Sequence, residues 1–389
     1  MTNCKLCDKN PAAEILGICK ECLKEQPEKA LVYVQQAHGK SRNPLPAEPP
    51  RVSGGATCQI CAHNCQISPG EWGFCGLRAN KEGRLIQLGG TPKRGIVSWY
   101  YDPLPTNCVA DWICPAGSNS GYPNYSYKPG EEFGYKNLAV FLGACSFDCL
   151  FCQNDSYHQM TRRLYPVATA EQLAQAVDAR TACVCYFGGD PSPQMPFALK
   201  ASHLMLKNKS NKILRICWET NGNIHPRFLK AIAELSLNSG GCIKFDLKAW
   251  NNHLHKALTG VSNQQTLANF AALAEYIKNR PDPPFLVAST LLVPGYIDPE
   301  EVGAIAKFII SLNRDIPYSL LAFHPSYLMD DLPPTSLQQA QECYETAVKA
   351  GLSRIKLGNI NLACFLNLFP IHGKDLPAST EENSPAWSS

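Results

Sequence analysis

The stretch LGACSFDCLFCQN, residues 142–154, sets Cys145, Cys149 and Cys152 in a C-x3-C-x2-C array, with the aromatic Phe151 just before the last thiol. Three cysteines are one too few for a closed tetrahedral site. In a loop that follows an apolar run, they can hold three corners of a [4Fe–4S] cube. The fourth iron then lacks a protein ligand, and its open position can take a substrate or cofactor. A zinc site that borrows a fourth thiol, such as Cys108 or Cys114, is the alternative.

From residue 137 onward short apolar runs alternate with amphipathic stretches. Candidate strands are 137–144, 183–190, 213–221, 242–249, 285–293 and 318–325; candidate helices are 169–181, 195–207, 225–237, 264–279, 299–312 and 336–350. Thr169 with Gln172, and Thr335 with Gln338, have capping-box spacing. Asp298-Pro299-Glu300-Glu301 offers an N-cap, a proline at the first helical position and acids in the first turn. Such alternation predicts an α/β fold with a parallel sheet covered by helices. Six units in about 220 residues suit an open doubly wound sheet or a partial (β/α)6 barrel of the TIM type, and both place chemistry at the C-terminal ends of the strands. The unusual residues fall there: Cys145, then Gly188-Gly189-Asp190, Glu219-Thr220-Asn221, Asp246 with Lys248, and His324. Asp246 and Lys248, two apart, share one strand face. As buried charges they need partners, either each other or a zwitterionic ligand.

Charge and composition narrow the function classes. Lys and Arg number 36 against 33 Asp and Glu, so nothing points to nucleic acid or a charged membrane surface. No 18-residue apolar run occurs, and MTNCKLCDKNPAAE lacks the basic and apolar regions of a signal peptide, so the cytosol is expected. There, 19 cysteines read as metal ligands and buried small hydrophobes rather than disulfides, and fit an anaerobic host. Cys4, Cys7, Cys19 and Cys22 form C-x2-C-x11-C-x2-C, a paired knuckle for zinc or a single iron. A small module of this kind needs its metal to fold. Cys58, Cys61, Cys65 and Cys75 suit zinc or an auxiliary iron–sulfur cluster, with His63 as a substitute ligand. Cys183, Cys185, Cys217 and Cys242 are expected as buried small hydrophobes, and Trp218 and Trp250 as packing. The organisation expected is a zinc-ribbon-like module at 1–27, a Pro- and Gly-rich linker at 28–57, a cysteine-rich region with a second metal site at 58–135, the barrel at 136–365 and a disordered tail at 366–389.

C-x3-C-x-aromatic-C resembles the signature of radical S-adenosylmethionine (SAM) enzymes. In that family the open iron chelates SAM, whose reductive cleavage gives a 5′-deoxyadenosyl radical that abstracts hydrogen. FGGDP (187–191) resembles the family's GGE motif, so Gly188, Gly189 and Asp190 would face the SAM amino group. ETNG (219–222), KFDLKAW (244–250), HKALTGVSN (255–263), LVPG (292–295) and FHPSY (323–327) resemble the pyruvate formate-lyase activating enzymes. The resemblance implies Asp246 and Lys248 on SAM, Glu219 and Thr220 at a monovalent-cation site, and His324 in the active site. It also implies a partial barrel, an electron donor such as ferredoxin or flavodoxin, and a protein, peptide or small-molecule substrate. CQICAHNCQISPGEWGFCGLRANKEGRLIQL (58–87) is similar to the N-terminal block of the AmmeMemoRadiSam branch. The chain reads GEEFGYKN (130–137) where glycyl-radical activases carry a DGPG-type segment. Activation of a glycyl-radical enzyme is thus an alternative, as is a non-catalytic electron-transfer or metal-binding protein.

Overall fold

The computed structural model describes residues 1–208 and 212–362. Strands β1 (Gly95–Pro103), β2 (Lys136–Leu142), β3 (Thr181–Gly188), β4 (Arg215–Thr220), β5 (Ile243–Asp246), β6 (Leu286–Leu292), β7 (Tyr318–Ala322) and β8 (Ile355–Gly358) lie side by side in that order. The short strand Val167–Ala168 pairs beyond β1. β2 to β8 are parallel, each beside its predecessor in sequence, whereas β1 runs antiparallel to β2. A doubly wound sheet reverses its strand order partway. This one does not, so of the two architectures the sequence allows, the partial barrel forms. β8 is a seventh parallel strand where six were expected; its four residues, IKLG, carry too little periodicity to announce it.

Alternation along the strands divides two environments. Leu138, Val140, Val184, Tyr186, Ile216, Trp218 and Phe245 join one core with helix residues such as Ala198, Ile232, Phe270 and Ile305. Trp218 stacks on Tyr186, as packing, and the half-exposed Trp250 leans on Phe308. The intervening positions face the lumen.

Helices α1 (Lys20–Glu25) and α2 (Pro27–Arg42) precede the barrel. α3 (Tyr157–Arg163), α4 (Ala170–Gln175), α5 (Met195–Asn208), α6 (Leu229–Ser239), α7 (Asn252–Thr259), α8 (Gln264–Ala274), α9 (Pro299–Leu312) and α10 (Leu337–Ala350) cover it. Thr169 and Gln172 form the expected capping box, and Asp298 accepts from the Glu301 amide at the start of α9. At α10 the cap is Ser336, not Thr335. Thr335 instead bonds Leu292 and Phe323, tying the ends of β6 and β7 together.

The expected linker at 28–57 is corrected in its first half, where α2 runs to Arg42 and buries Ala30, Val34, Ala37, His38, Ser41 and Arg42 along one stripe. Half of that buried stripe is polar, which hid the helix from hydrophobic patterning. Ion pairs from Lys20 to Asp298 and from Lys24 to Glu300 dock the N-terminal module on the barrel.

Residues 104–135 leave β1 and return to β2 at the N-terminal ends of the barrel strands, where they form a plug. Val109 accepts from Ser319, Asp111 from Lys356, and Glu132 meets Arg215 in a fully buried two-pronged pair. Among the described residues no helix is long and apolar enough to cross a membrane. The expected tail at 366–389 lies outside them.

Candidate active site

The barrel encloses a cavity of about 590 Å³, within the range typical of small-molecule and cofactor sites. Cys145, Cys149 and Cys152 line it together with Gly188, Gly189, Asp190, Glu219, Thr220, Asp246 and Lys248. These predicted residues, read from four separate segments, thus share one chamber. His324 is not among its lining residues; it sits in the loop after β7, its Nδ1 held by Ser326 at 3.0 Å.

The three-cysteine loop is braced from several sides. The amides of Asp148 and Leu150 donate to the carbonyls of Thr259 and Leu258 at the end of α7. His255, buried in α7, bonds the Val261 carbonyl at 2.7 Å and packs its ring edge-on against Phe147. The Asp148 carboxylate is fully buried and accepts from His38 Nδ1 at 2.7 Å and Ser41 Oγ at 2.8 Å, both from α2. Burial opposes its ionisation, but the His38 bond and the Arg42 charge outweigh that and hold the carboxyl below its ordinary value. This support from α2 had no signal in the sequence.

Burial pushes the Cys145 and Cys149 thiols well up and the Cys152 thiol to about 11. They stay neutral until a cation draws the protons off, as thiolate ligation of a metal does. Two donors already aim at Cys145 Sγ: the Phe147 amide at 3.3 Å and Asn221 Nδ2 at 3.5 Å. The donor set therefore fits a cluster held at three corners, and within the loop itself there is no fourth thiol. Sequence reasoning placed Asn221 at the C-terminal end of its strand with Glu219 and Thr220 but gave it no role at Cys145.

The glycines serve the backbone. A Cβ on Gly189 would stand 2.1 Å from the Ala144 oxygen, and Gly188 has φ +104°. The Gly189 and Asp190 amides donate to Leu142 and Ala144, which extends the β2–β3 pairing up to Cys145. Ala144 itself has φ +148°, a strained conformation at the entrance to the loop. The buried Asp190 carboxylate accepts from the Ser192 amide, Thr220 Oγ1 and the Asn221 amide, at 2.7, 2.8 and 2.8 Å. It thereby sets the position of Asn221 against Cys145.

Lys248 Nζ meets Asp246 at 2.8 Å, and Asp246 also accepts from Ser289 at 2.6 Å. Burial works against the Lys248 charge, but the Asp246 carboxylate, by its charge and its hydrogen bond, outweighs it and raises the pKa. The ammonium sits 5.7 Å above the ring of Phe151. Glu219 has a cation already, Lys244 Nζ at 3.1 Å. Lys244 was missed, although it lies on the same strand face as Asp246 and Lys248.

Two further thiol groups lie in the N-terminal half. Cys4, Cys7, Cys19 and Cys22 bring their ligand atoms within 4.8 Å of one another. The Cys7–Cys19 separation is 3.8 Å, close to the tetrahedral edge of roughly 3.8 Å that follows from Zn–S bonds of about 2.3 Å. Despite burial, backbone amides of the knuckles hold the Cys4 thiol down to about 6. Cys58, Cys61, Cys65 and Cys75 are all buried, with Cys58 and Cys65 joined through a backbone bond. His63 Nε2 donates to the Ser146 carbonyl, and so braces the three-cysteine loop.

Comparison with known proteins agrees with this geometry. The family model described as "Radical SAM superfamily" matches residues 140–309. An uncharacterized protein of Methanocaldococcus jannaschii is 25% identical over 309 residues, 78% of this chain and 81% of that protein. The isethionate sulfite-lyase activating enzyme of Desulfovibrio desulfuricans is 32% identical over 35% of this chain and 40% of its own length. The pyruvate formate-lyase-activating enzyme of Streptococcus mutans is 24% identical over 50% of this chain and 72% of its own length. Residues 140–309 thus match the radical SAM superfamily, and the chain resembles proteins named as activating enzymes of lyases.

Proposed function

We propose that this chain binds SAM in the barrel chamber and uses it to take a hydrogen atom from a protein or peptide. The observation that carries the reading is the convergence of Cys145, Cys149 and Cys152 with Asp246 and Lys248 on one cavity. The three thiols would hold three irons of a [4Fe–4S] cluster, and Lys248, Asp246 and the Gly188–Asp190 turn would receive SAM. When bound, the cluster supplies the electron that splits SAM into methionine and a 5′-deoxyadenosyl radical. Lys248 would hold the SAM carboxylate and Asp246 the ribose, exchanging their mutual ion pair for the ligand. Asn221 and the Phe147 amide steady Cys145, while the plug closes the far end of the chamber to water. A ferredoxin or flavodoxin would supply the electron, and the knuckle of Cys4, Cys7, Cys19 and Cys22 would carry zinc. Cys58, Cys61, Cys65 and Cys75 would hold a second metal centre, zinc or an iron–sulfur cluster.

A protein substrate is supported by the relatives named as activating enzymes of lyases. Glycyl-radical activation is the second reading. In the segment 130–137, Glu132 is consumed by Arg215 within the plug, so those residues serve the fold here. A small-molecule substrate is an outcome of the assay rather than a separate mechanism.

The test is anaerobic. Protein reconstituted with iron and sulfide is given SAM and dithionite, and 5′-deoxyadenosine is measured. Wild type should form it, Cys149→Ala should not, and Lys248→Ala should raise the SAM concentration needed at least tenfold. Full activity in Lys248→Ala would remove the SAM-binding role. A loaded cluster that forms no nucleoside would favour a pure electron carrier.

A further inference from the structure

Among the described residues, six thiols besides the three-cysteine loop line the chamber, Cys108, Cys114, Cys183, Cys185, Cys217 and Cys242, and SAM cleavage has no use for them. We propose that four of them, Cys108, Cys185, Cys217 and Cys242, ligate a second iron–sulfur cluster inside the barrel, between the plug and the three-cysteine loop.

The fold brings these residues together. Cys185 and Cys217 are direct partners on β3 and β4. Cys242 follows at the foot of β5, its carbonyl bonded to the Trp218 amide at 3.0 Å. All three line the cavity, so they form a lateral row across strands spaced about 4.8 Å apart. The Cys217 and Cys242 thiols hydrogen-bond each other. Cys108 arrives from the plug and shares the Lys244 ammonium with Cys185, each sulfur 3.1 Å from Nζ. Four chain segments thus deliver four sulfurs to one side of the chamber.

Core packing does not account for this arrangement. The Lys244 side chain is 2% exposed, and two of its three hydrogen bonds go to sulfur. A neutral thiol is a weak acceptor, whereas a thiolate or cluster sulfur is a strong one. A cationic donor beside cluster sulfurs is also one of the ways a protein tunes such a centre. An anionic cluster would compensate Lys244 more fully than Glu219, which is 30% exposed, does alone.

Spacing selects the class of metal. Among the described residues, only the N-terminal knuckle already gathers its ligand atoms within 4.8 Å, ready for a single ion without rearrangement. The lumen thiols do not, and neither do Cys145, Cys149 and Cys152, whose pattern is that of a polynuclear cluster. The lumen set comes from four chain segments that meet at one side of the chamber. It also shares the chamber with the three-cysteine loop, so a cluster there would face whatever substrate group enters.

The proposal does not depend on SAM cleavage, and its test reads iron directly. Crystals of the full chain, reconstituted anaerobically with iron and sulfide, are measured at the iron absorption edge. An anomalous peak bounded by Cys185, Cys217 and Cys242 is the expected result. Peaks confined to the Cys145–Cys152 loop and the Cys58–Cys75 group would overturn the proposal. In solution, Cys217→Ala/Cys242→Ala should lower iron and labile sulfide by about two to four atoms each per chain. An unchanged count in folded protein would overturn it as well. A variant that fails to fold leaves the decision to the native crystal.

Discussion

Replacing Asp148 tests whether α2 holds the cluster loop in place. The Asp148 carboxylate lies between Cys145 and Cys149, is fully buried, and takes hydrogen bonds from His38 and Ser41, with Arg42 Nη1 at 3.8 Å. In Asp148→Ala both donors lose a charged acceptor, about 1.5–3 kcal/mol for each bond. Arg42 keeps the carbonyls of Pro46 and Phe74 and so limits the loss. The total should be about 3–5 kcal/mol, the range found when one partner of a buried pair is removed. Anaerobic urea unfolding of the reconstituted protein measures it, with iron content as a second reading. His38→Ala alone should cost less, and the double-mutant cycle should show a coupling of about 1.5–3 kcal/mol. A coupling within about 0.5 kcal/mol of zero would refute the brace. The pH dependence has a definite sign. The Asp148 carboxyl is depressed, so its stabilisation is present above its unfolded value, about 3.9, and is lost as pH falls through the lower folded value. Asp148→Asn should therefore lose less stability than wild type on acidification below about pH 4.

Three other outcomes follow from the same geometry. Gly189→Ala should destabilise by about 3 kcal/mol or more and lower iron loading, because its Cβ would lie 2.1 Å from the Ala144 oxygen where ordinary contact is 3.4–4 Å; thermal melts and iron analysis check it. Glu132→Ala should cost about 3–5 kcal/mol by leaving the Arg215 guanidinium buried without its carboxylate, as read in urea unfolding. Cys7→Ser should release one equivalent of zinc from the N-terminal knuckle while Cys145, Cys149 and Cys152 keep their iron, as measured by elemental analysis of folded protein.

The barrel was legible because its outward positions are apolar and bounded by turn residues, so all six expected strands start within two residues of observed ones. β8 and α2 were not. One is short, and the other buries His38, Ser41 and Arg42, which reach Asp148 only through tertiary contact. The site was legible where spacing carries chemistry, as in the three-cysteine loop and the Asp246–Lys248 pair. Motif reading alone did not tell that Asp190 would be occupied by Thr220 and Asn221, or that Glu219 would face Lys244. Those partners come from neighbouring strands, and register, not sequence distance, brings them together. His324 shows the converse: its motif was read, but the loop carries it away from the lining of the chamber.

The most direct measurement is electron paramagnetic resonance of the singly reduced, reconstituted protein before and after SAM is added. SAM seated on an open iron beside Lys248 should shift the g-values of the cluster signal that depends on Cys145, Cys149 and Cys152, and Lys248→Ala should need more SAM for the same shift. A spectrum that SAM leaves unchanged, in protein whose three-cysteine cluster is fully loaded, would contradict the account.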